Sequence, residues 1–243
     1  MTARLAERTW TELEPRRPVV LLPLGSCEQH GPHLPLDTDA AVATAVAERA
    51  LALLRGEVDA VLAPTQNYGA SGEHEGFPGT VSIGHTALHL LVVELGRSVL
   101  RWAERLVVVN GHGGNLRSLV GAVRRLRYEG RDVAWWACSG GESHGHAGRA
   151  ETSLMHALRP DSVRSARMES GPLGSDDRVL ERLMSVGVRA VSPNGVIGSP
   201  DGANAAEGGE LLAEMSAGLA EAVRAWHVDG TGRLANASRV GVP

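Results

Sequence analysis

Four apolar runs of strand length alternate with longer runs of helical periodicity along the chain. Each apolar run is followed by a segment with apolar residues at three- to four-residue spacing. Two parallel strands need a crossover connection, which is usually a helix. We therefore predict strands at 18–25, 59–66, 105–110 and 131–139, and helices at 38–55, 85–103, 116–130, from about 148 onward, and at 202–226.

This alternation predicts an α/β fold with three layers, α/β/α, in which helices cover both faces of a mostly parallel sheet. No sharp change of composition and no internal repeat divides the chain, so we expect a single domain over residues 1–243. Its last part, residues 230–243, is expected to be a loose C-terminal tail. A short strand near 162–167 and a short helix or loop at 175–187 complete the expected elements.

Bulk composition excludes several classes of function. The formal net charge of −4 gives no electrostatic reason to expect nucleic acid or an anionic membrane as a partner. Cys27 and Cys138 form no CxxC pair, and residues 1–18 lack the apolar core of a signal peptide. The longest apolar stretch contains Glu94 and Arg97, so it is not a membrane span. We therefore expect a cytoplasmic protein.

Glycine-rich loops with histidines follow all four predicted strands. They read CEQHGPH, YGASGEHEGFPGT, NGHGGN and GESHGHAGRAET, and they contain six of the ten histidines. Ligands of such sheets bind beyond the carboxyl ends of the strands. The four loops therefore predict a shared cleft at one edge of the sheet.

The first loop offers a carboxylate and an imidazole at a spacing that suits a shared ligand. On an extended segment Glu28 and His30 point the same way, so both can reach the cleft. Asp39 lies at the start of the next helix, where it can cap the helix or bind a metal, and Asp37 is a competing cap. Cys27 is more simply a small buried residue than a nucleophile, because the spacing indicates no partner base.

The other loops add imidazoles and carboxylates. His112 stands at a glycine-rich turn that lets a ligand approach closely, with a packed imidazole as the alternative. Glu151 is expected in the first turn of a helix, where the helix dipole alone would favour it. His146 is the candidate proton carrier because its ordinary pKa lies near neutrality. Glu73 and His74 could form a lid or a substrate wall, or an ordinary surface loop.

Carboxylates and imidazoles without thiolates suit Zn²⁺, Mn²⁺ or Fe²⁺. Two such ions need a bridging carboxylate, and together they lower the pKa of bound water and stabilise the oxyanion of an attacked amide. The implied reaction is metal-assisted hydrolysis of a C–N bond. A dinucleotide or phosphate site is not indicated, since no GxGxxG follows a strand.

Four ordered motifs, GSCEQHGPHLPLDTD, GEHEGFPGT, NGHGGN and HAGRAETSLM, resemble those of the creatininase family, and the resemblance covers almost the whole chain. It implies a creatininase-like α/β fold, a centre of two divalent metal ions, amidohydrolase chemistry and a homo-oligomer, often a hexamer. The implied metal ligands are Glu28, His30, Asp39, His112 and Glu151, with Asp39 bridging.

The resemblance also implies roles in catalysis and substrate binding. His146 matches the family's catalytic imidazole, and Glu151 belongs to the same catalytic set. The remaining polar side chains of these loops are assigned to substrate binding: Glu73, His74, Asn115 and His144. Creatininase itself has a Glu two residues after the histidine that matches His112, whereas this chain has Gly114, which argues against creatinine as the substrate.

Within the family, three stretches are most similar to peptidases that trim a modified precursor peptide: YGASGEHEGFPGTVSIG, LRYEGRDVAW and GVRAVSPNGVIG. The similarity implies that a peptide is the substrate and that a C-terminal Val–Tyr-derived unit, the precursor of a redox cofactor, is the product. Two alternatives remain open. One is a hydrolase of a small cyclic amide or formamide, and the other is a non-catalytic binding protein whose oligomer is stabilised by metal.

Overall fold

The computed structural model describes residues 3–139, 145–172, 182–183 and 185–235. The strands are β1 (Val19–Leu24), β2 (Ala60–Leu62), β3 (Arg105–Asn110) and β4 (Val133–Ala137). The helices of the described part are α1 (Trp10–Leu13), α2 (Thr38–Leu54), α3 (Gly84–Val99), α4 (Leu116–Tyr128), α5 (Arg149–Leu158), α6 (Val188–Val191) and α7 (Ala205–Ala225).

All four strands are parallel and lie in the order β2-β1-β3-β4. Every residue of β1 is buried, as expected for an apolar strand that is covered on both faces. Val20, Leu22 and Leu24 pack with α3 and α4, whereas Val19 and Leu21 pack with α2, α5 and α7. The predicted three-layer α/β/α architecture with a parallel sheet is therefore confirmed.

Two predicted strands differ from the structure. β2 is shorter than predicted and ends at Leu62, two residues before Pro64, which has no N–H for a ladder bond. The strand predicted near 162–167 is wrong, because this stretch forms 3-10 turns at Pro160–Ser162 and Ser165–Arg167. Local N–H to C=O bonds within these turns satisfy the backbone without a partner strand. Of the predicted helix or loop at 175–187, residues 175–181 and 184 lie outside the described residues.

The C-terminal segment packs against β4, so the predicted loose tail does not begin at residue 230. The Trp135 N–H donates to Gly232 O at 3.0 Å, and the Leu234 N–H donates to Trp135 O at 2.9 Å. Leu234 is fully buried in the core on the α2 side. These bonds cover the exposed edge of β4, where unpaired backbone groups would otherwise invite another strand. Residues 236–243 lie outside the described part of the chain.

Within the described residues, no helix combines the length and the apolar character that crossing a bilayer requires.

Candidate metal centre

Side chains from the four loops meet beyond the carboxyl ends of the strands. Eight of the predicted site residues gather there: Glu28, His30, Asp39, Glu73, His74, His112, His146 and Glu151. The segments that supply them are far apart in sequence, and the parallel sheet alone brings them to one edge. The predicted substrate contact His144 lies outside the described residues.

Two glycines let the first turn of α2 press against the strand ends, and this places Asp39 in the cleft. A Cβ at Gly25 would lie 2.4 Å from the backbone N of Ala40, and a Cβ at Gly111 would lie 2.4 Å from the backbone O of Asp39. Any larger residue would push the helix away from the sheet. The close approach therefore fixes the position of the Asp39 carboxylate relative to β1 and β3.

Asp39 stands between two imidazoles. His30 Nε2 lies 3.1 Å from Asp39 Oδ1, and His112 Nδ1 lies 3.4 Å from Asp39 Oδ2. The other nitrogen of His112, Nε2, lies 3.2 Å from Glu28 Oε2. Carboxylates and imidazoles thus alternate around one buried core, which is the donor set that Zn²⁺, Mn²⁺ and Fe²⁺ accept.

The side chains of the described residues form three donor groups. Glu28, His30 and His146 make up one of them, and the other two share Asp39. One consists of Glu28, Asp39 and His112, and the other of His30, Asp39 and Glu151, with the donor atoms of each group within 4.8 Å of one another. A shared carboxylate is what two neighbouring cations require. The arrangement therefore offers donor atoms for divalent metal, with the Asp39 carboxylate available to more than one donor group.

Three carboxylate oxygens in this cluster are buried and make no hydrogen bond of normal geometry among the described residues, although imidazole nitrogens lie 3.2–3.4 Å away. They are both oxygens of Glu28 and Oδ2 of Asp39. A buried carboxylate costs several kcal/mol when nothing compensates its charge. Divalent cations would supply that compensation, so the residues present fit a centre for divalent metal.

The pKa values of His30 and His112 show the strength of this negative field. Burial disfavours the charged form of His30, but Asp39 outweighs it and raises the pKa of His30 to about 10. Burial likewise opposes the charged form of His112, while Glu28 and Glu73 raise the pKa of His112 well above its usual value. A site that attracts protons to imidazoles in this way also attracts metal cations.

A residue in the left-handed backbone conformation directs the fourth loop toward the cluster. Ala147 is fully buried and has a φ of 53°, which is rare for a residue with a Cβ. Its N–H donates to Glu151 Oε2 at 2.6 Å, and this bond fixes the Glu151 carboxylate in the first turn of α5. His146, one residue earlier, points toward the same cleft. Strain of this kind is typical of functional sites.

His146 is a neutral imidazole at the edge of the cluster. Its Nε2 donates to Gln29 O at 2.8 Å, which leaves Nδ1 unprotonated at 3.8 Å from Glu28 Oε1. Burial and the charge of His30 lower the pKa of His146 to about 4. The ring also packs on His30 and His74, each with a centroid distance of 4.4 Å. The free nitrogen of His146 can therefore accept a proton from the cleft.

Gln29 organises this edge, a role that the sequence analysis missed. Its Nε2 donates to His74 Nδ1 at 2.9 Å and to Gly195 O at 3.1 Å, and its Oε1 accepts from the Gly31 N–H at 2.9 Å. With Nδ1 occupied, His74 turns Nε2 toward Glu28 Oε1 at 3.4 Å. Burial, reinforced by the nearby His146, lowers the pKa of His74, so it stays neutral. The partner Gly195 comes from a distant segment, so no local pattern could reveal this contact.

Asn115 contributes to the structure of the loops rather than to the cleft. Its side chain is fully buried, its Oδ1 accepts from the Ala70 N–H at 2.8 Å, and its Nδ2 donates to Gly25 O and Asn110 Oδ1, each at 3.0 Å. The amide thus ties together the loops after β1, β2 and β3. A contact of Asn115 with substrate stays a prediction.

Two acidic or nucleophilic candidates of the first loop lie outside the cluster. Asp37 is half-exposed and pairs with Arg159 Nη1 at 2.7 Å, and it makes no side-chain cap on α2. The thiol of Cys27 donates to Gly79 O at 3.6 Å, and burial raises the pKa of Cys27. A protonated thiol held in this way is a packing group, not a nucleophile.

The chain is similar to known proteins along almost its whole length. The profile of the creatininase family, described as creatinine amidohydrolase, matches residues 6–223. A mycofactocin precursor peptide peptidase of Mycolicibacterium smegmatis is 49% identical over 232 residues, which cover 95% of this chain and 94% of that protein. A manganese form of creatininase superposes with a TM-score of 0.79 at 29% identity, covering 93% of this chain and 99% of that chain. A creatininase mutant of the Zn-Zn type superposes with a TM-score of 0.78 at 29% identity, covering 93% and 98%.

The matches to creatinine amidohydrolase and to a peptidase show a hydrolase that acts on C–N bonds, and the creatininase fold supports its use of metal. Within that class, the chain belongs to the creatininase family.

Proposed function

We propose that this chain is a metal-dependent peptidase of mycofactocin biosynthesis, which cleaves the modified precursor peptide and releases its C-terminal Val–Tyr-derived unit. The single structural observation that carries this proposal is the pair of donor groups that share Asp39. The peptide substrate is supported by the 49% identity with a mycofactocin precursor peptide peptidase.

The proposed cofactors are two divalent ions, Fe²⁺, Zn²⁺ or Mn²⁺. Glu28, Asp39 and His112 would hold one ion, and His30, Asp39 and Glu151 the other. When bound, such ions supply an activated water and polarise the carbonyl of the scissile amide. Forms of creatininase with manganese and with zinc support this choice of metals.

His146 is the proposed proton carrier of the reaction. Its Nδ1 lone pair faces Glu28, and the bond from Nε2 to Gln29 O fixes the tautomer. In this role Nδ1 takes the proton of the attacking water and delivers it to the amine that leaves. The depressed pKa ensures that the imidazole is unprotonated when the reaction begins.

Hydrolysis of creatinine or of another small cyclic amide or formamide is the less favoured alternative. The position two residues after His112 is Gly114 and carries no carboxylate. A direct assay with creatinine in parallel with the peptide separates the two activities.

We also propose that the protein is a cytoplasmic homo-oligomer, with a hexamer as the first candidate. Several large apolar side chains are exposed on the isolated chain, among them Trp10 at 72% and Leu90 at 58%. Burial of such side chains between subunits would remove apolar surface from water. Cys27 and Cys138 are both free thiols, which suits a reducing compartment.

The experiment that tests the proposed activity incubates the modified precursor peptide with protein loaded with Fe²⁺, Zn²⁺ or Mn²⁺ and follows the products by mass spectrometry. We expect release of the C-terminal Val–Tyr-derived unit, and no release after chelation. Absence of cleavage with all three metals would exclude the peptidase. A His146→Ala variant that binds metal but cleaves as fast as the wild type would exclude His146 as the proton carrier.

A further inference from the structure

Glu73 carries a carboxylate that lies in the cleft and is not needed to complete any of the donor groups. It belongs to neither of the groups that share Asp39. Its Oε1 nevertheless lies 3.3 Å from His112 Nε2, and its side chain is only 10% exposed. Glu28 and Asp39 are buried more deeply, at 0% and 3%. Glu73, like Glu151, is therefore a carboxylate on the less buried side of the cluster.

The carboxylate of Glu73 occupies the position where the Cβ of any side chain at residue 114 would lie. A Cβ built on Gly114 would lie 2.3 Å from Glu73 Oε1 and 2.4 Å from His112 Nε2. These distances are far below van der Waals contact, and the backbone O of Ala70 would lie only 2.8 Å away, so no side chain at 114 fits beside the present Glu73 carboxylate and His112 ring. Gly114 thus keeps open the position beside His112 that the Glu73 carboxylate fills.

The turn that carries Glu73 is firmly anchored. The Ser71 N–H donates to Ser82 Oγ at 3.0 Å, and Ser26 Oγ donates to Ser71 Oγ at 2.9 Å. On the preceding side, Ala70 is bound to the buried amide of Asn115. A functional group needs support of this kind to hold its geometry within a fraction of an ångström.

We propose that Glu73 is a catalytic residue whose carboxylate accepts a hydrogen bond from the attacking water and orients it toward the scissile carbonyl from the His112 side. This inference rests on the proposed peptidase activity. It follows from the juxtaposition of a partly accessible carboxylate, which belongs to no donor group, with His112 and with the glycine that makes room for it. Loss of such orientation costs on the order of 100-fold in rate.

The test compares Glu73→Gln with the wild type and with a matched control, Glu75→Gln, which changes an exposed carboxylate on the same turn. We expect Glu73→Gln to lower kcat by about 100-fold or more, to leave KM within about three-fold, and to retain the wild-type number of metal ions per chain by elemental analysis. Affinity for the modified precursor peptide, measured calorimetrically, should also stay within about three-fold. Glu75→Gln should match the wild type in every measurement.

Three results would overturn the inference without touching the proposed function. The first is a Glu73→Gln variant with wild-type kcat, and the second is a loss of metal in that variant, which would make Glu73 a ligand. The third is a selective loss of peptide affinity, which would make it a substrate contact only. A wild-type protein that binds metal and peptide but cleaves nothing would instead contradict the proposed function.

Discussion

At the scale of single residues, Asp39 is the carboxylate that lies between the imidazoles of His30 and His112. It belongs to two of the three donor groups, as Glu28 and His30 also do. We expect Asp39→Asn to reduce the metal content by at least one ion per chain and to lower peptide hydrolysis by about a thousand-fold or more, because a neutral amide is a poor ligand and cannot bridge two cations. Elemental analysis and mass spectrometry of the products check both expectations.

Asp37→Asn is the matched control for this substitution. Asp37 lies two residues away on the same segment but is half-exposed and paired with Arg159. Loss of an exposed ion pair costs at most about 1 kcal/mol. Equal loss of metal in the two variants would show that the segment, and not the shared carboxylate, binds the ions.

The raised pKa of His30 predicts how the metal-free protein responds to pH. The folded-state pKa of about 10 exceeds the ordinary value of about 6.5, so the pairing with Asp39 stabilises the fold fully below about pH 6.5. This contribution is lost as the pH rises through about 10. We expect the free energy of unfolding of the chelated protein, from urea titrations, to fall across this window. His30→Gln should show a shallower decline, and identical slopes would contradict the assignment.

At the scale of elements, the packing of α2 against the sheet positions the bridging carboxylate. A Cβ at Gly111 would lie 2.4 Å from Asp39 O, so Gly111→Ala must displace the first turn of α2. We expect a loss of about 1–3 kcal/mol in the free energy of unfolding, typical of overpacking, together with weaker metal binding. Chemical denaturation and metal titration measure the two effects.

Gly113→Ala in the same loop is the control, because a Cβ there would meet no atom within 4 Å. We expect it to stay within about 0.5 kcal/mol of the wild type, as surface substitutions usually do. If both variants lost stability equally, loop flexibility rather than the approach of α2 would be the cause.

The elements that the sequence predicted well are those with a strong apolar period. The run at 38–55 gave helix Thr38–Leu54, and the run at 105–110 gave β3 without a change of bounds. The failure near 162–167 has a local cause, since short-range backbone bonds at Pro160–Ser162 replaced a strand that had no partner. The start of the C-terminal segment is held by backbone hydrogen bonds of Gly232 and Leu234 with Trp135. Only the folded sheet reveals these bonds.

At the scale of the whole molecule, the sequence predicted which loops would meet but not which contacts their side chains would make with one another. The strand-end rule brought Glu28, His112 and Glu151 to one edge, as the structure shows. It gave no information about the contact of Glu73 with Gly114 or of Gln29 with Gly195, because both join loops from distant parts of the chain. Such contacts depend on distances of a few tenths of an ångström that only the assembled fold sets.

Metal binding should therefore stabilise the entire fold, because the proposed ligands join segments from residue 28 to residue 151. An ion that binds the folded state at about 100 times its Kd adds about 2.7 kcal/mol. For a chain of this size, 1 kcal/mol raises Tm by about 2–4 °C, so two ions should raise it by roughly 10–20 °C. Calorimetry before and after chelation measures the shift. Asp39→Asn should show less than about half of it, and a Tm that does not respond to chelation would mean that the loops do not share an ion.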